Sequence, residues 1–296
     1  MTYDLIIIGM GPAGVSAAIY AKRAGLKILC FESKMIGGTL NFIDKIDNYP
    51  GLYNVSGPDF AYQLYQSLKE LDIEVINKKI THIVDGKVKE VYVDDTKYLC
   101  KNIIIATGRS PKKLGLPNEE QLLGNGISHC ALCDGAFYKN KDIAVVGGGN
   151  SAIGEALYLS NICNKVYLIH RRDTFRAEKV TLEKLSAKEN VTTITNVNVK
   201  ELKSENGRLK SIILDNEQEL EISGLFTYIG FIPNTDFLAS LDIIDESGYI
   251  ETDNHFETKR KGMYAIGDIV KKEIYQITTA VAEGTIAATS IIEKQK

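Results

Sequence analysis

The chain has 296 residues, 44% of them hydrophobic and 25% charged, with a formal net charge of -3. At roughly 150 residues per domain, this length predicts about two domains. The composition excludes a disordered tail, a collagen-like fibre and a repeat array. With no basic excess, neither nucleic acid nor an anionic membrane is an expected partner. No apolar run approaches the roughly 18 residues needed to span a bilayer. Met1-Thr2-Tyr3-Asp4 enters a strand-like run at once, without the basic start of a signal peptide. Five cysteines, at positions 30, 100, 130, 133 and 163, form an odd set. Small secreted domains usually carry an even framework, so the expectation is a reducing cytoplasm with mostly buried thiols.

Residues 3–8 are an apolar run ending at Gly9, residues 11–24 carry Ala and Ile on one helical face, and residues 26–31 are a second apolar run. Strand, glycine turn, helix and strand make a βαβ unit. The same order recurs with a strand at 142–146, a glycine turn at 147–149, a helix at 151–160 and a strand at 165–169. The second turn begins 138 residues after the first, which predicts two related nucleotide-binding domains. Alternating apolar and charged residues at 88–93 fit an antiparallel meander, and residues 210–214 are also β-rich. Pro111 and Pro117 flank one expected linker, and Pro233-Asn234 marks the other.

Gly9-Met10-Gly11-Pro12-Ala13-Gly14 is a G-x-G-x-x-G loop between strand and helix. Its first glycine permits the tight turn, its second lets a pyrophosphate approach the backbone, and its third lets helix and strand pack closely. The helix start then offers N–H donors and a positive dipole end. Glu32 follows Gly9 by 23 residues, at the end of the next strand, and suits the ribose hydroxyls of an adenosine. The second loop, Gly147-Gly148-Gly149-Asn150-Ser151-Ala152, reads G-x-G-x-x-A. Where an acid would serve NAD, this chain has His170-Arg171-Arg172, with Arg176 shortly after. Guanidinium groups suit the 2′-phosphate of NADP, which an acid would repel. Two such sites in one chain suggest a flavoprotein that takes hydride from NADPH.

Cys130-Ala131-Leu132-Cys133 is a C-x-x-C followed by Asp134. This spacing fits half a zinc site, a redox pair or two idle thiols. A structural zinc site needs four ligands. His129 adjoins the pair, but no fourth ligand is evident among His82, His129, His170 and His255, so no metal is expected. Cysteines at i and i+3 of a helix start can close a small disulfide, and the dipole there favours thiolate. Asp134 suits the proton transfers of such chemistry.

At this point the chain resembles the low-molecular-weight thioredoxin reductases. The matching runs include Cys-Ala-Leu-Cys-Asp-Gly at 130–135, Glu-Ala-Leu-Tyr-Leu-Ser-Asn at 155–161 and His-Arg-Arg-Asp-Thr-Phe-Arg-Ala-Glu at 170–178. Asn48-Tyr49-Pro50-Gly51, Ala106-Thr107-Gly108, Gly230-Phe231-Ile232-Pro233-Asn234-Thr235 and Gly267-Asp268 follow the family order across essentially the whole chain. The resemblance implies an α/β fold of two Rossmann-like three-layer domains, the NADPH domain inserted into the FAD domain. The expected boundaries are 1–113 and 237–296 for FAD, and 114–236 for NADPH and the cysteine pair. It assigns FAD to the first loop, Glu32, Gly37, Gly38, Thr39, Asn48, Ala106, Thr107, Gly108 and the stretch 267–277, with Gly267, Asp268, Tyr275, Gln276 and Ile277. NADPH falls to Gly147, Gly149, Asn150, Ser151, Ala152, His170, Arg171, Arg172 and Arg176. It makes Cys133 the thiol facing the flavin, Cys130 the thiol that attacks the partner, and Asp134 the acid/base. A cytoplasmic homodimer that reduces thioredoxin is implied, with domain rotation between half-reactions. Alternatives are a glutaredoxin-like or other small thiol protein as partner, or a ferredoxin-dependent flavin thioredoxin reductase, against which the arginines argue.

Several residues depart from the family pattern. Thr39 stands where Gln is common, Ala136-Phe137 replaces Phe-Phe, Asn125 replaces a basic residue, Tyr275 replaces Arg, and Gly154 replaces an acid. His129 directly precedes Cys130 and, if protonated, would favour its thiolate. Cys30, Cys100 and Cys163 read as buried thiols, with Cys100 at the end of a strand.

Overall fold

The computed structural model describes residues 1–43, 46 and 48–295, without the side chains of Phe42, Leu132 and Cys133. The chain divides into two compact units, Met1–Ser110 with Ile232–Lys296, and Pro111–Phe231.

Leu5-Ile6-Ile7-Ile8 lacks polar alternation, and the strand it belongs to, Thr2–Ile8, is buried on both faces along this run. Such strands belong inside parallel sheets covered on both sides. Thr2–Ile8 pairs in parallel with Ile28–Glu32 and with Thr96–Ile105. Val75–Asn77 and Met263–Ala265 extend the parallel part. Lys89–Val93 runs antiparallel to both Thr96–Ile105 and His82–Val84, the meander that the alternation at 88–93 announces. Leu5 and Ile7 pack with Val15, Ala17 and Ala18 of helix Pro12–Arg23 and with Ala287 and Ile291 of helix Ile277–Glu293. Ile6 and Ile8 pack on the opposite face with Ile83, Val91 and Leu238. The first unit therefore has three layers: helices, a mainly parallel sheet, and a meander with its neighbouring loops.

The second unit repeats this plan. Asp142–Gly147 lies in a parallel sheet with Lys165–His170, Val191–Thr195, Gly224–Tyr228 and Ile127–Ser128. Ile143 and Val145 meet Ala152, Ile153 and Ala156 of helix Asn150–Ser160. Ala144 and Val146 meet an antiparallel sheet of Val199–Glu205, Arg208–Leu214 and Glu219–Glu221. In each unit the first strand of the βαβ motif has parallel neighbours on both sides. The crevice beyond its carboxyl end is the topological switch point where such sheets bind ligands.

The unit boundaries differ from the expected 113/114 and 236/237 by a few residues. Asn234 belongs to the first unit because it is stapled to that unit's own chain. Its N–H donates to the Gly108 carbonyl at 2.9 Å, its Nδ2 to the Thr107 carbonyl at 2.8 Å, and its Oδ1 accepts from Ser110 Oγ at 2.7 Å. Leu238 and Leu241 follow it into the same core. Residues 112–116 belong to the second unit. Lys112 donates to the Gly230 carbonyl at 2.8 Å, and the buried Glu119 accepts the N–H groups of Leu114 and Gly115 at 2.8 Å each. Cys100 also corrects the sequence expectation. It lies inside Thr96–Ile105 rather than at its end, because the strand runs on through the apolar 103–105 segment.

Two helical glycines have opposite surroundings. A Cβ on Gly154 would meet no heavy atom within 4 Å. A Cβ on Gly284 would overlap the Ala13 carbonyl oxygen and stand 2.9 Å from Ser16 Cβ, because helices Ile277–Glu293 and Pro12–Arg23 touch there. Gly154→Ala is therefore expected to stabilise the second unit by about 1 kcal/mol through helix propensity. Gly284→Ala is expected to destabilise the first unit by about 1–3 kcal/mol through overpacking. Urea unfolding of both variants, followed unit by unit, checks the opposite signs.

Candidate active site

In the first unit the glycine loop is built by backbone contact. Gly9 has φ +99°, and a Cβ there would stand 2.6 Å from the Ala106 carbonyl carbon. A Cβ on Gly14 would overlap the Gly9 carbonyl oxygen. Gly11, the N-cap of helix Pro12–Arg23, faces open space, and a Cβ there would meet no heavy atom within 4 Å. The backbone is thus approachable at the helix start, which suits a pyrophosphate. Glu32 ends its strand with its Oε2 accepting from Met10 N at 2.7 Å and its Oε1 from Lys34 N at 2.9 Å. A carboxylate has about four acceptor sites, so capacity remains for ribose hydroxyls.

Other expected residues gather around this loop. Gly37 donates its N–H to the Met10 carbonyl at 2.8 Å, and a Cβ on Gly38 would lie 3.5 Å from Gly11 Cα. Ala106 donates its N–H to Ile8 at 2.7 Å, so Ala106-Thr107-Gly108 leaves the sheet beside Gly9. A Cβ on Gly267 would stand 3.1 Å from Ala13 Cβ, against the first turn of the loop helix. Asn48 Nδ2 donates to Gln276 Oε1 at 3.0 Å, and Gln276 caps helix Ile277–Glu293 through a capping box with Thr279. Ile277 packs with Leu40 and Ile46. Asp268 is paired with Arg109 at 3.1 Å, and the Arg109 guanidinium lies 4.1 Å from the Tyr275 ring centroid. Thr39 is exposed on the turn Gly38–Phe42.

The second loop uses the same device with other atoms. A Cβ on Gly147 (φ +153°) would stand 2.5 Å from the Tyr228 carbonyl oxygen and 2.7 Å from Ala152 Cβ. Gly149 faces open space as the N-cap of Asn150–Ser160, and Ser151 is exposed. His170 is buried beneath Gly148, whose Cβ would run into its imidazole at 2.5 Å from Nδ1. Its ring is held by Thr174 O, 3.1 Å from Nε2, and stacks on Phe175 at 5.0 Å. Burial lowers its pKa, and Arg172, Arg171 and Arg176 push the same way, so the imidazole is neutral near pH 7. Arg176 N donates to Gly148 O at 2.8 Å, and Glu178 N donates to Asn150 Oδ1 at 2.9 Å, so the arginine segment is laced to the loop. Arg171, Arg172 and Arg176 are exposed. The arginine salt bridges among the described residues involve Arg109 and Arg260 instead.

The cysteine turn lies in this second unit. Cys130 is 9% exposed and disulfide-bonded, and it precedes the single helical turn Ala131–Asp134. Cys130 N donates to Ser128 Oγ at 3.0 Å, and Asp134 N donates to the Cys130 carbonyl at 3.2 Å. Ala131 N donates to the Tyr228 hydroxyl at 2.9 Å. Tyr228 is the register partner of Gly147, so one strand end touches both the cysteine turn and the glycine loop. Burial raises the pKa of Tyr228, keeping its hydroxyl neutral. His129 is half-buried, its Nδ1 2.6 Å from Thr227 Oγ1. Among the described residues no group of three or more His, Cys, Asp or Glu side chains could hold a metal ion.

The family model of the pyridine nucleotide-disulphide oxidoreductases matches residues 3–284. The chain belongs to that family. A relative, the thioredoxin reductase of Bacillus subtilis (strain 168), is 40% identical over 295 residues, covering 98% of this chain and 93% of its own length. The crystal structure of Lactococcus lactis thioredoxin reductase (FR conformation) superposes with a TM-score of 0.91 at 38% identity, over 98% of each chain. Thioredoxin reductase from T. acidophilum gives 0.89 at 29% identity, over 99% of each chain. Among the described residues no helix is long and apolar enough to cross a membrane.

Sequence reading of this pyridine nucleotide-disulphide oxidoreductase missed several supporting residues. Tyr228 and Ser128 carry no motif of their own, and only the fold brings them to the cysteine turn. Asn234 was visible inside a matching run, but its grip on Thr107 depends on a chain return 127 residues later. Arg109 follows the Ala-Thr-Gly run directly, and its pairing with Asp268 had no local signal.

The remaining thiols are free and buried. Burial pushes Cys30 and Cys100 up to about 12 and Cys163 up to about 11. Thiolate is the reactive form, so these three are inert at neutral pH. Iodoacetamide at pH 8 is expected to leave Cys30, Cys100 and Cys163 unlabelled in the native oxidised protein and to label all three after denaturation. Peptide mass mapping checks this, and native labelling of any of the three contradicts it.

Proposed function

We propose that the chain is an NADPH-dependent thioredoxin-disulfide reductase. In this reading the first unit holds FAD through the Gly9–Gly14 loop, Glu32, Gly37, Gly38, Asn48, Asp268 and Gln276. The second unit holds NADPH through Gly147, Gly149, Asn150, Ser151 and Ala152, with Arg171, Arg172 and Arg176 on the 2′-phosphate and His170 as a neutral floor. The observation that carries the reading is local to the second unit. The turn of Cys130 and the arginine-flanked glycine loop share that unit and meet at Tyr228.

Bound FAD and NADPH supply the hydride and two-electron chemistry that no side chain provides. The thiol steps belong to the chain's own residues. In the reduced pair, the Cys130 thiolate attacks one sulfur of the partner's disulfide. A mixed disulfide forms, the partner's S–S bond breaks, and the departing thiolate takes a proton from Asp134. Cys133 then attacks Cys130, closes the Cys130–Cys133 disulfide and releases the second partner sulfur as a thiolate, which takes its proton from water. The proton lost by Cys133 restores Asp134, and two electrons have passed to the partner. The hydrogen bond from Asp134 N to the Cys130 carbonyl keeps the acid one turn from the thiol it serves.

The nicotinamide and the cysteine pair both need the same flavin, and rotation about the chain crossings at 110/111 and 231/232 alternates them. Phe137, 72% exposed one turn after the cysteines, gives the partner an apolar foothold, although Ala136 lacks the second ring common in the family. The working form is a cytoplasmic homodimer.

Anaerobic titration with NADPH is expected to bleach a yellow flavin and to consume two electron pairs per subunit, one for FAD and one for the dithiol. Bleaching by reduced ferredoxin but not by NADPH would sink the reading. Cys133→Ser should abolish NADPH-dependent thioredoxin reduction. Arg171→Ala with Arg172→Ala should raise KM for NADPH by about tenfold or more and leave NADH use nearly unchanged, given about 1.5–3 kcal/mol for a hydrogen bond to a charged group. Steady-state kinetics with both nucleotides reads that split.

A further inference from the structure

Glu283 lies in the middle of helix Ile277–Glu293, 6% exposed, where the helix packs on Pro12–Arg23. Its Oε1 accepts from Lys272 Nζ at 2.6 Å, and its Oε2 accepts from the Gly267 N–H at 2.6 Å. The Lys272 side chain is 15% exposed. Both charges of this pair are therefore largely removed from water. Such a pair gains little over an apolar pair in stability alone, so its use lies in what it positions.

It positions the Gly267-Asp268 turn. Gly267 stands against Ala13, in the first turn of the glycine-loop helix. Asp268 is held from its other side by Arg109. The ring of Tyr275 lies near both cations, 4.1 Å from the Arg109 guanidinium and 5.5 Å from Lys272 Nζ. Two acids and two bases thus converge on one turn, with a tyrosine where the family pattern has arginine.

We propose that Lys272 and Glu283 are positioning residues that hold the Gly267-Asp268 turn in the conformation that receives FAD. This rests on the assignment of FAD to the first unit, and it adds Glu283, which lies outside the residues given to FAD above. The charged groups that face Glu283 are Lys272 and Asp268, the latter paired with Arg109. At the adjacent Gly284, helix Pro12–Arg23 presents Ala13, Ser16 and Ala17. Burial already raises the Glu283 pKa, and Lys272 is the main charge that holds it down. Without Lys272, an ionised Glu283 is a lone buried charge, whereas a protonated one still accepts the Gly267 N–H through its carbonyl oxygen.

The test is FAD affinity, read by flavin fluorescence on the full chain at pH 6 and pH 8, for wild type, Lys272→Met and Lys272→Met/Glu283→Gln. Wild type should bind equally at both pH values. Lys272→Met should bind at least about tenfold more weakly at pH 8 and lose less at pH 6, because burial favours the protonated form of Glu283. The double variant, which carries no buried charge and so keeps the test decisive where the single variant folds poorly, should bind FAD more weakly than wild type, equally at both values, and should recover part of the Lys272→Met loss at pH 8. Wild-type affinity in Lys272→Met overturns the proposal. So does an equal loss at both pH values that the double variant does not repair. A wild-type protein that binds no FAD removes the assignment underneath it as well, which separates the two failures.

Discussion

Backbone-to-backbone contact at the glycine loops is the constraint on which the rest of the molecule depends. In the first unit a Cβ at either Gly9 or Gly14 would collide with main-chain atoms, of Ala106 in one case and of Gly9 itself in the other. In the second unit Gly147 meets the Tyr228 carbonyl in the same way. These contacts draw the helix start over the carboxyl end of the central strand, and they fix the neighbouring strand at the same height. Every candidate ligand-binding residue is placed relative to that junction. Ala106-Thr107-Gly108 leaves the sheet beside the first loop, and Tyr228 carries the cysteine turn to the second. A side chain at any of these positions would open the junction and displace all of them together.

The two junctions share a scaffold and differ in charge. Glu32 stands at the end of the second strand in one unit, while His170 leads into Arg171, Arg172 and Arg176 at the corresponding place in the other. The scaffold supplies N–H groups and a helix dipole to any phosphate. In the proposed function the strand-end residues then decide which nucleotide is accepted. His170 shows how this division is kept. It lies next to three cations, yet burial under Gly148 keeps it neutral, so it shapes the floor without adding charge.

Much of this was legible in the sequence because it depends on local chemistry. A strand, a glycine turn and a helix are contiguous, so both βαβ units could be placed to within a few residues, and the alternation at 88–93 announced its meander. What stayed hidden depends on contacts between distant segments. Gly284 looks like an ordinary helix glycine until Ala13 is seen against it. Glu119 looks like a surface acid, yet it is buried and collects the N–H groups of the preceding loop. The domain boundaries shifted for the same reason, since Asn234 reaches back to Thr107 across 127 residues. Glu283 was invisible because nothing near it in sequence marks it as more than one charge on a helix.

The three spare cysteines have a consequence for how the protein meets its surroundings. Chemistry that passes through thiolates is open to short circuits, because any nearby thiol can join the exchange. Here Cys30 and Cys100 sit inside central strands and Cys163 beneath a helix end, all sealed from solvent. Among the described residues, these three thiols are therefore shielded from exchange. In the proposed function, thiol-directed electrophiles that meet the reduced protein are steered to the Cys130 turn, because Cys30, Cys100 and Cys163 are buried.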